Sequence, residues 1–332
     1  MEIFKNGFLL GKFYGFHIGH AFLIESALTH CEHLTVLVAT IPKEDISGVY
    51  RYEAVKEYFK DYSNVTVCHY DKYLPQEPSE DPHFWDKWIP VILKTCPDID
   101  IVFASEDYAK DIAQNLGANV AYKVIDKYRE SVTISGTDIR NNPMKYYDYI
   151  APTMRWYFNK KIAILGAESV GKSTMTKRLA DYYRTSYAIE YGRIHCENNK
   201  RKLLDDDFVI ITDEQQISID TANRDAYKIM FSDTEALTTK VFLPKYCLKY
   251  ANITEKYISQ FIKKQEFDCY IVLSADNIST QDGTRNFLSD RQSHQEAIIK
   301  ELDLYKKNYV VLTGSYEEKF LKAINICNKI LI

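Results

Sequence analysis

No apolar run in the 332-residue sequence approaches the ~20 residues needed to cross a membrane as a helix. The opening MEIFKNGFLL has one lysine, no long apolar core and no small-residue cleavage site, so it does not read as a secretory signal. The seven cysteines, at 31, 68, 96, 196, 247, 269 and 327, form no CxxC pair and match no zinc spacing. An odd, scattered set of thiols fits a reducing compartment, so a soluble cytoplasmic protein is expected. An excess of one charge is missing as well: 42 Lys and Arg face 46 Asp and Glu, a formal charge of −4. A globally basic nucleic-acid binder is thereby excluded, and neither nucleic acid nor membrane is an expected partner. Internal repeats and low-complexity tracts are absent too.

What remains is an ordinary globular composition, 46% hydrophobic and 27% charged, long enough for two domains with sizeable cores. Short β-type apolar runs at 7–13, 34–40, 65–69, 101–104 and 120–124 alternate with helical periods at 21–31, 51–59, 84–95 and 108–116. The rhythm restarts with a strand at 161–165 and a helix at 172–183. Strands follow at 228–231, 269–273 and 309–312, with helices at 253–264, 292–305 and 317–328. Such alternation predicts parallel βαβ units, hence an α/β protein of two domains, 1–152 and 160–332. Between them Pro143 and Pro152 frame a tyrosine-rich stretch, 144–156, expected as a short helix and a connection on the surface. The run Asp205-Asp206-Asp207 reads as a solvated helix start.

Chemistry concentrates in two places. The first is Gly11-Lys12-Phe13-Tyr14-Gly15-Phe16-His17-Ile18-Gly19-His20, after a strand and opening a helix. His17 and His20, three apart, can face one point beside a helix N-terminus that favours an anion. HxxH alone is weak, since His30 and His33 share the spacing; the whole run at the first strand–helix turn carries the reading. Ile134-Ser135-Gly136-Thr137-Asp138-Ile139-Arg140 follows the fifth strand. There Ser135 or Thr137 can cap a helix while Arg140 points back at the same ligand. Trp85 and Trp88 share a helix at a spacing that suits either ring stacking or core packing. Asp107, Asp126 and Arg129 fall near strand ends, where ligands of open sheets gather.

Together these motifs resemble the HxGH nucleotidyltransferases with their ISxTxIR signature, over roughly residues 5–150, and most closely the nicotinamide mononucleotide adenylyltransferases. The resemblance implies a Rossmann-like domain in which His17, His20 and Arg140 hold ATP phosphates and Gly11, Lys12, Phe13, Gly19, Ser135 and Thr137 line the nucleotide. Trp85 or Trp88 would stack on nicotinamide. The mononucleotide phosphate then attacks the α-phosphorus in line, pyrophosphate leaves, and Mg²⁺ assists. Relatives usually carry proline where Gly15 stands. Restoring it is expected to stiffen the loop, provided the local φ lies at about −65°.

The second place is Gly166-Ala167-Glu168-Ser169-Val170-Gly171-Lys172-Ser173-Thr174, a full GxxxxGK[ST] after a strand and before a helix. An accidental match in a chain this long has odds of about one in a hundred. Its N–H groups cradle phosphates, Lys172 reaches the β/γ oxygens and Ser173 ligates Mg²⁺. Asp233 and Glu235 end a later strand as carboxylates for Mg²⁺ or a hydroxyl proton. Glu190 and Arg193 are substrate contacts or an ion pair at a helix start. Asp282, Arg285 and Arg291 lie in a lid-like stretch, 276–294.

The order EYGR, SDTE, DG-x-R resembles the ribosylnicotinamide kinase domain fused behind an HxGH adenylyltransferase in NadR-type bifunctional proteins. That resemblance implies a P-loop kinase domain with ATP as co-substrate, ribosylnicotinamide as acceptor, Asp233 as base or Mg²⁺ partner, and Arg285 and Arg291 on the lid. The small molecules of the chain would then be ATP, ribosylnicotinamide, nicotinamide mononucleotide and NAD, with a homo-oligomer left open. The first expected strand, near residue 7, leaves no room for the helix-turn-helix repressor domain of some members. Glu235 stands where the family tends to carry Asp, and Ser279 where it often has an aromatic. A P-loop half that only senses ATP, or that phosphorylates another small molecule, is the alternative.

Overall fold

The computed structural model describes residues 3–246, 251–275 and 287–332. Contacts divide the chain into two units, Met1–Tyr157 and Phe158–Ile332. The first contains β1 (Phe4–Gly11), α1 (Ile18–Leu28), β2 (Cys31–Ala39), α2 (Gly48–Tyr58), β3 (Val65–Tyr70) and α3 (Phe84–Thr95). It continues with β4 (Ile101–Ala104), α4 (Tyr108–Leu116), β5 (Ala121–Val124), α5 (Gly136–Asn141) and α6 (Pro152–Phe158). The sheet is wholly parallel in the order β3-β2-β1-β4-β5, Leu9 lying beside Val36 on one side and Phe103 on the other. Strand order therefore reverses between β1 and β4, which opens a crevice beyond their C-terminal ends. Phe8, Leu37, Val102 and Ile112 lie in the core packed beside the helices.

The second unit holds β6 (Lys160–Gly166), α7 (Lys172–Tyr183), β7 (Tyr187–Ala188), α8 (Tyr191–Asn199), α9 (Asp205–Asp225) and β8 (Ile229–Asp233). After these come α10 (Ala236–Tyr246), α11 (Ala251–Lys264), β9 (Cys269–Leu273), α12 (Phe287–Leu304), β10 (Tyr309–Leu312) and α13 (Tyr316–Ile330). Its sheet is also parallel, β10-β9-β6-β8-β7, and reverses at β6. Every residue of β8 and β9 is buried, as a strand covered by helices on both faces requires.

Three expectations change. The tyrosine-rich stretch is not a surface connection: Met144, Tyr147, Ile150, Ala151 and Met154 are buried. It docks on the His17 loop, with Ala151 N–H donating to Phe16 O at 3.2 Å and Ile150 bridging His17. The three aspartates do open α9, but Asp207 is buried rather than solvated. Arg201 grips it with two bonds of 2.7 and 2.8 Å, and His195 Nε2 lies 2.8 Å away. Those partners and the Leu204 N–H bring its carboxyl down to about 2, the Arg201 hydrogen bonds contributing most. Finally, α10 and β7 occupy sequence that carried no expected element, while of α8 and α9 only the starts had been marked.

Candidate active sites

The first site is built on the turn after β1. Phe13 at φ 45° and Gly15 at φ +83° fold the chain back so that His17 becomes the N-cap of α1. The Gly19 N–H donates to His17 Nδ1 at 3.0 Å, which leaves the ring proton on Nε2. Gly19 has to be small here, since a Cβ would stand 2.8 Å from the His17 ring. The His20 ring lies 3.9 Å from that of His17, framed by Phe13 and Phe16, and its Nδ1 has no partner among the described residues. Burial, then the cations Arg129 and Arg140, bring the His17 pKa down to about 4; burial and His17 depress His20. Two neutral imidazoles therefore stand among fixed positive charges.

Opposite them, Ser135 caps α5 in a capping box with Asp138, so its hydroxyl is committed to the helix start. Thr137 Oγ1 accepts from Arg140 at 3.0 Å, and Arg140 also donates to Tyr14 O at 2.9 Å. His20, Gly11, Lys12, Phe13, Ser135, Thr137 and Arg140 line one cavity of 840 Å³ at the β1/β4 crevice, while His17 and Gly19 line a smaller one that shares His20 and Arg129. The two tryptophans part company. Trp88 also borders the cavity, but it is buried and its indole N–H donates to Pro75 O at 2.9 Å, which ties it into the core. Trp85 is half-buried on the cavity wall against Phe84 and has a ring to offer.

Three residues carry more here than the sequence reading gave them: Arg129, noted there only for lying near a strand end, Gly136 and Arg51. Arg129 is exposed, borders both cavities and rides on a loop that Asp126 organises by accepting three backbone N–H bonds, from Glu130, Ser131 and Val132. Gly136 admits no side chain, a Cβ there meeting Tyr14 O at 2.9 Å. Arg51, on α2, is fully buried beneath the loop. The signal for Gly136 was its place inside ISGTDIR; Arg51 had no local signal.

The second site follows β6. Gly166 (φ +145°), Ser169 (φ 60°) and Gly171 (φ +89°) shape the loop, and Gly171 caps α7. Lys172 lies almost wholly inside this loop and donates to Ala167 O at 2.9 Å; burial lowers its pKa, against the pull of Glu190 and Asp233. Asp233, at the end of β8, is raised by burial and lowered by its hydrogen bond with Ser173, and its Oδ1 has no partner among the described residues. Glu190 precedes α8 at the N-cap position without a side-chain capping bond, and its carboxylate accepts from Arg193 at 3.1 Å. Both also line a 170 Å³ cavity with Glu168, Phe208, Gln215 and Phe242. Burial raises the Glu190 pKa, with Lys172 acting against it. Ala167, Val170 and Thr174 belong to the cradle's own backbone and helix.

Glu235 does not join the carboxylates. It is wholly buried, accepts from Leu237 N–H at 2.8 Å, and faces the core beside Tyr270, because Thr234 at φ 67° turns the chain after β8. Burial raises its pKa to about 7. Asp282 and Arg285 lie outside the described residues. Arg291, on α12, has a buried Nε without a partner among those described. The described residues contain no cluster of three metal-ligating side chains, and no described helix is long and apolar enough to cross a membrane.

Residues 12–142 match the family described as citrate lyase ligase C-terminal domain, and residues 161–319 the AAA domain family. Two relatives are each described as "Trifunctional NAD biosynthesis/regulator protein NadR". The one from Escherichia coli is 28% identical, covering 98% of this chain and 83% of its own; that from Salmonella typhimurium is 29% identical, covering 98% and 84%. Among solved structures, a NadR protein in complex with NR superposes with a TM-score of 0.83 at 22% identity, covering 99% of this chain and 96% of its own. Another, with NAD and AMP-PNP, gives 0.80 at 21% identity over 99% and 97%.

Proposed function

We infer, from the premise that this chain is a NadR homologue along 98% of its length, that it is a bifunctional enzyme of NAD synthesis. The second unit phosphorylates ribosylnicotinamide with ATP. The first unit transfers AMP from a second ATP to the resulting mononucleotide, releasing pyrophosphate and NAD. The observation that carries this is one of order: an HxGH crevice and then a P-loop, each at the reversal of a parallel sheet, aligned along 98% of this chain with a relative named for NAD biosynthesis.

In the first unit, a phosphate oxygen of the mononucleotide attacks the α-phosphorus of ATP as the bond to pyrophosphate breaks. No protein group needs to gain or lose a proton, so the work is positioning and charge neutralisation. His17 offers its Nε2–H from the smaller adjoining cavity, and Arg140 and Arg129 supply fixed positive charge along the 840 Å³ crevice. Trp85 is the ring for nicotinamide. In the second unit, the 5′ hydroxyl oxygen of ribosylnicotinamide attacks the γ-phosphorus as the bond to ADP breaks, and the hydroxyl proton is released to solvent. Lys172 moves from Ala167 O onto phosphate oxygens, a short swing since both belong to one loop. The unpartnered Oδ1 of Asp233, together with the Ser173 hydroxyl, fits a divalent cation, taken as Mg²⁺. Bound there, Mg²⁺ supplies charge neutralisation on the phosphates. The cavity between Glu190 and Phe242 takes the riboside.

Incubation with ATP, Mg²⁺ and either ribosylnicotinamide or the mononucleotide, with products identified by mass, tests both steps. Mononucleotide and then NAD are expected from the first substrate, NAD and pyrophosphate from the second. A chain that makes NAD but releases no ADP with ribosylnicotinamide retains only the first activity.

A further inference from the structure

Where relatives carry proline, this chain has a glycine in a conformation that proline cannot adopt. The loop needs another source of stiffness, and the neighbouring residue shows one. The ring of Tyr14 carries two guanidiniums, that of Arg140 at 4.3 Å from its centroid and that of Arg51 at 4.9 Å. Its hydroxyl accepts from Asp45 N–H at 3.0 Å, and its carbonyl accepts from Arg140 at 2.9 Å. Gly15 at φ +83° and the bare Gly136 together allow that carbonyl to approach α5. Behind the ring, Arg51 donates to Lys12 O at 2.9 Å and pairs with Glu44, while its Nε finds no acceptor among the described residues. The buried charge of Arg51 is thus met by one carboxylate, one carbonyl and the face of Tyr14.

We propose that Tyr14 is a positioning residue for adenylyl transfer: tethered by Arg51 and Asp45, its ring and carbonyl fix the Arg140 guanidinium against the nucleotide crevice. The proposal rests on the first-unit activity above and names what aims its phosphate-binding arginine. Tyr14 acts through Arg140, so its removal and that of Arg140 belong to one chain of cause.

The test is steady-state adenylyl transfer to supplied mononucleotide, with ribosylnicotinamide phosphorylation measured on the same preparations as a report on the other unit. Tyr14→Leu should lower kcat/KM for ATP by about 10–100-fold, the scale of a misplaced catalytic contact, and Tyr14→Phe should restore most of it. In the Arg140→Ala background, Tyr14→Leu should add little further loss. Phenylalanines bearing one, two or three fluorines at position 14 keep the shape and weaken the ring's negative face, so the ATP KM should climb stepwise. This series covers the case in which Tyr14→Leu fails to fold. Unchanged ATP kinetics in folded Tyr14→Leu, losses that multiply in the double variant, or a flat fluorine series each overturn the proposal. A wild-type chain that makes no NAD overturns the activity itself.

Discussion

Proline holds φ at about −65°, whereas Gly15 lies at +83°. Gly15→Pro is therefore expected to destabilise the first unit by about 2 kcal/mol or more and to cut NAD formation from supplied mononucleotide, read by melting midpoint beside activity. The stiffening anticipated from the sequence does not apply. A motif names the residue at 15 but not the sign of its φ, which is set where Arg140, 126 positions away, meets Tyr14 O. Arg51 was illegible for the same reason, its partners lying on other segments. Glu235 gives a second prediction. Its folded pKa, about 7, exceeds the ordinary 4.5, so the folded chain keeps a proton that the unfolded chain has released. The associated stability is full below pH 4.5 and is lost as pH rises through about 7. Glu235→Gln keeps the acceptor for Leu237 N–H without the charge. It should raise stability by about 2–3 kcal/mol at about pH 8 and leave it unchanged at acid pH, seen in paired melts.

At the scale of elements, the strands and helices around the motifs were legible because their periods are clean. α3, α4 and α7, together with β4, β9 and β10, occupy the expected residues. Of α9, 21 residues long, only the start at the three aspartates was legible. Its inner face carries Asp207, Thr212, Gln215 and Asn223 among the apolar side chains, which blurs the helical period. Asp207 fastens the start of this helix to Arg201 and to His195 of α8. Asp207→Ala is expected to cost about 2–4 kcal/mol, since a buried, multiply bonded carboxylate is lost while its partners remain. Because Glu190 and Arg193 lie at the start of α8, the KM for ribosylnicotinamide should rise in the same variant; denaturant melts and kinase kinetics check the two effects.

On the scale of the molecule, each unit has its own sheet, its own reversal point and its own motif at a strand–helix turn. The order of the two motifs was legible because each is a local run of residues; that both face crevices of parallel sheets needed the fold. Independent sites predict separable losses. Lys172→Ala should abolish ribosylnicotinamide phosphorylation while leaving adenylyl transfer near normal. His20→Ala should stop the sequence at the mononucleotide, with a loss on the order of 10²–10³ in adenylyl transfer. Mixing the two variants should restore NAD formation through free intermediate, followed by mass. Loss of adenylyl transfer in folded Lys172→Ala would mean that the P-loop governs the first unit.

The depressed pKa of His17 has a calorimetric consequence. Burial and the cations Arg129 and Arg140 hold the free imidazole at about 4. A triphosphate placed among the same groups cancels those cations and adds negative charge, so the imidazole's proton affinity rises on binding. ATP association with the first unit should then draw protons from the buffer, increasingly as pH falls toward 6.5, the ordinary value for histidine. Titration calorimetry of Lys172→Ala with ATP, repeated in buffers of different ionisation enthalpy, reads that uptake as the slope of apparent heat against buffer heat. The slope should shrink when His17 is replaced by asparagine, and an unchanged slope would place the proton elsewhere.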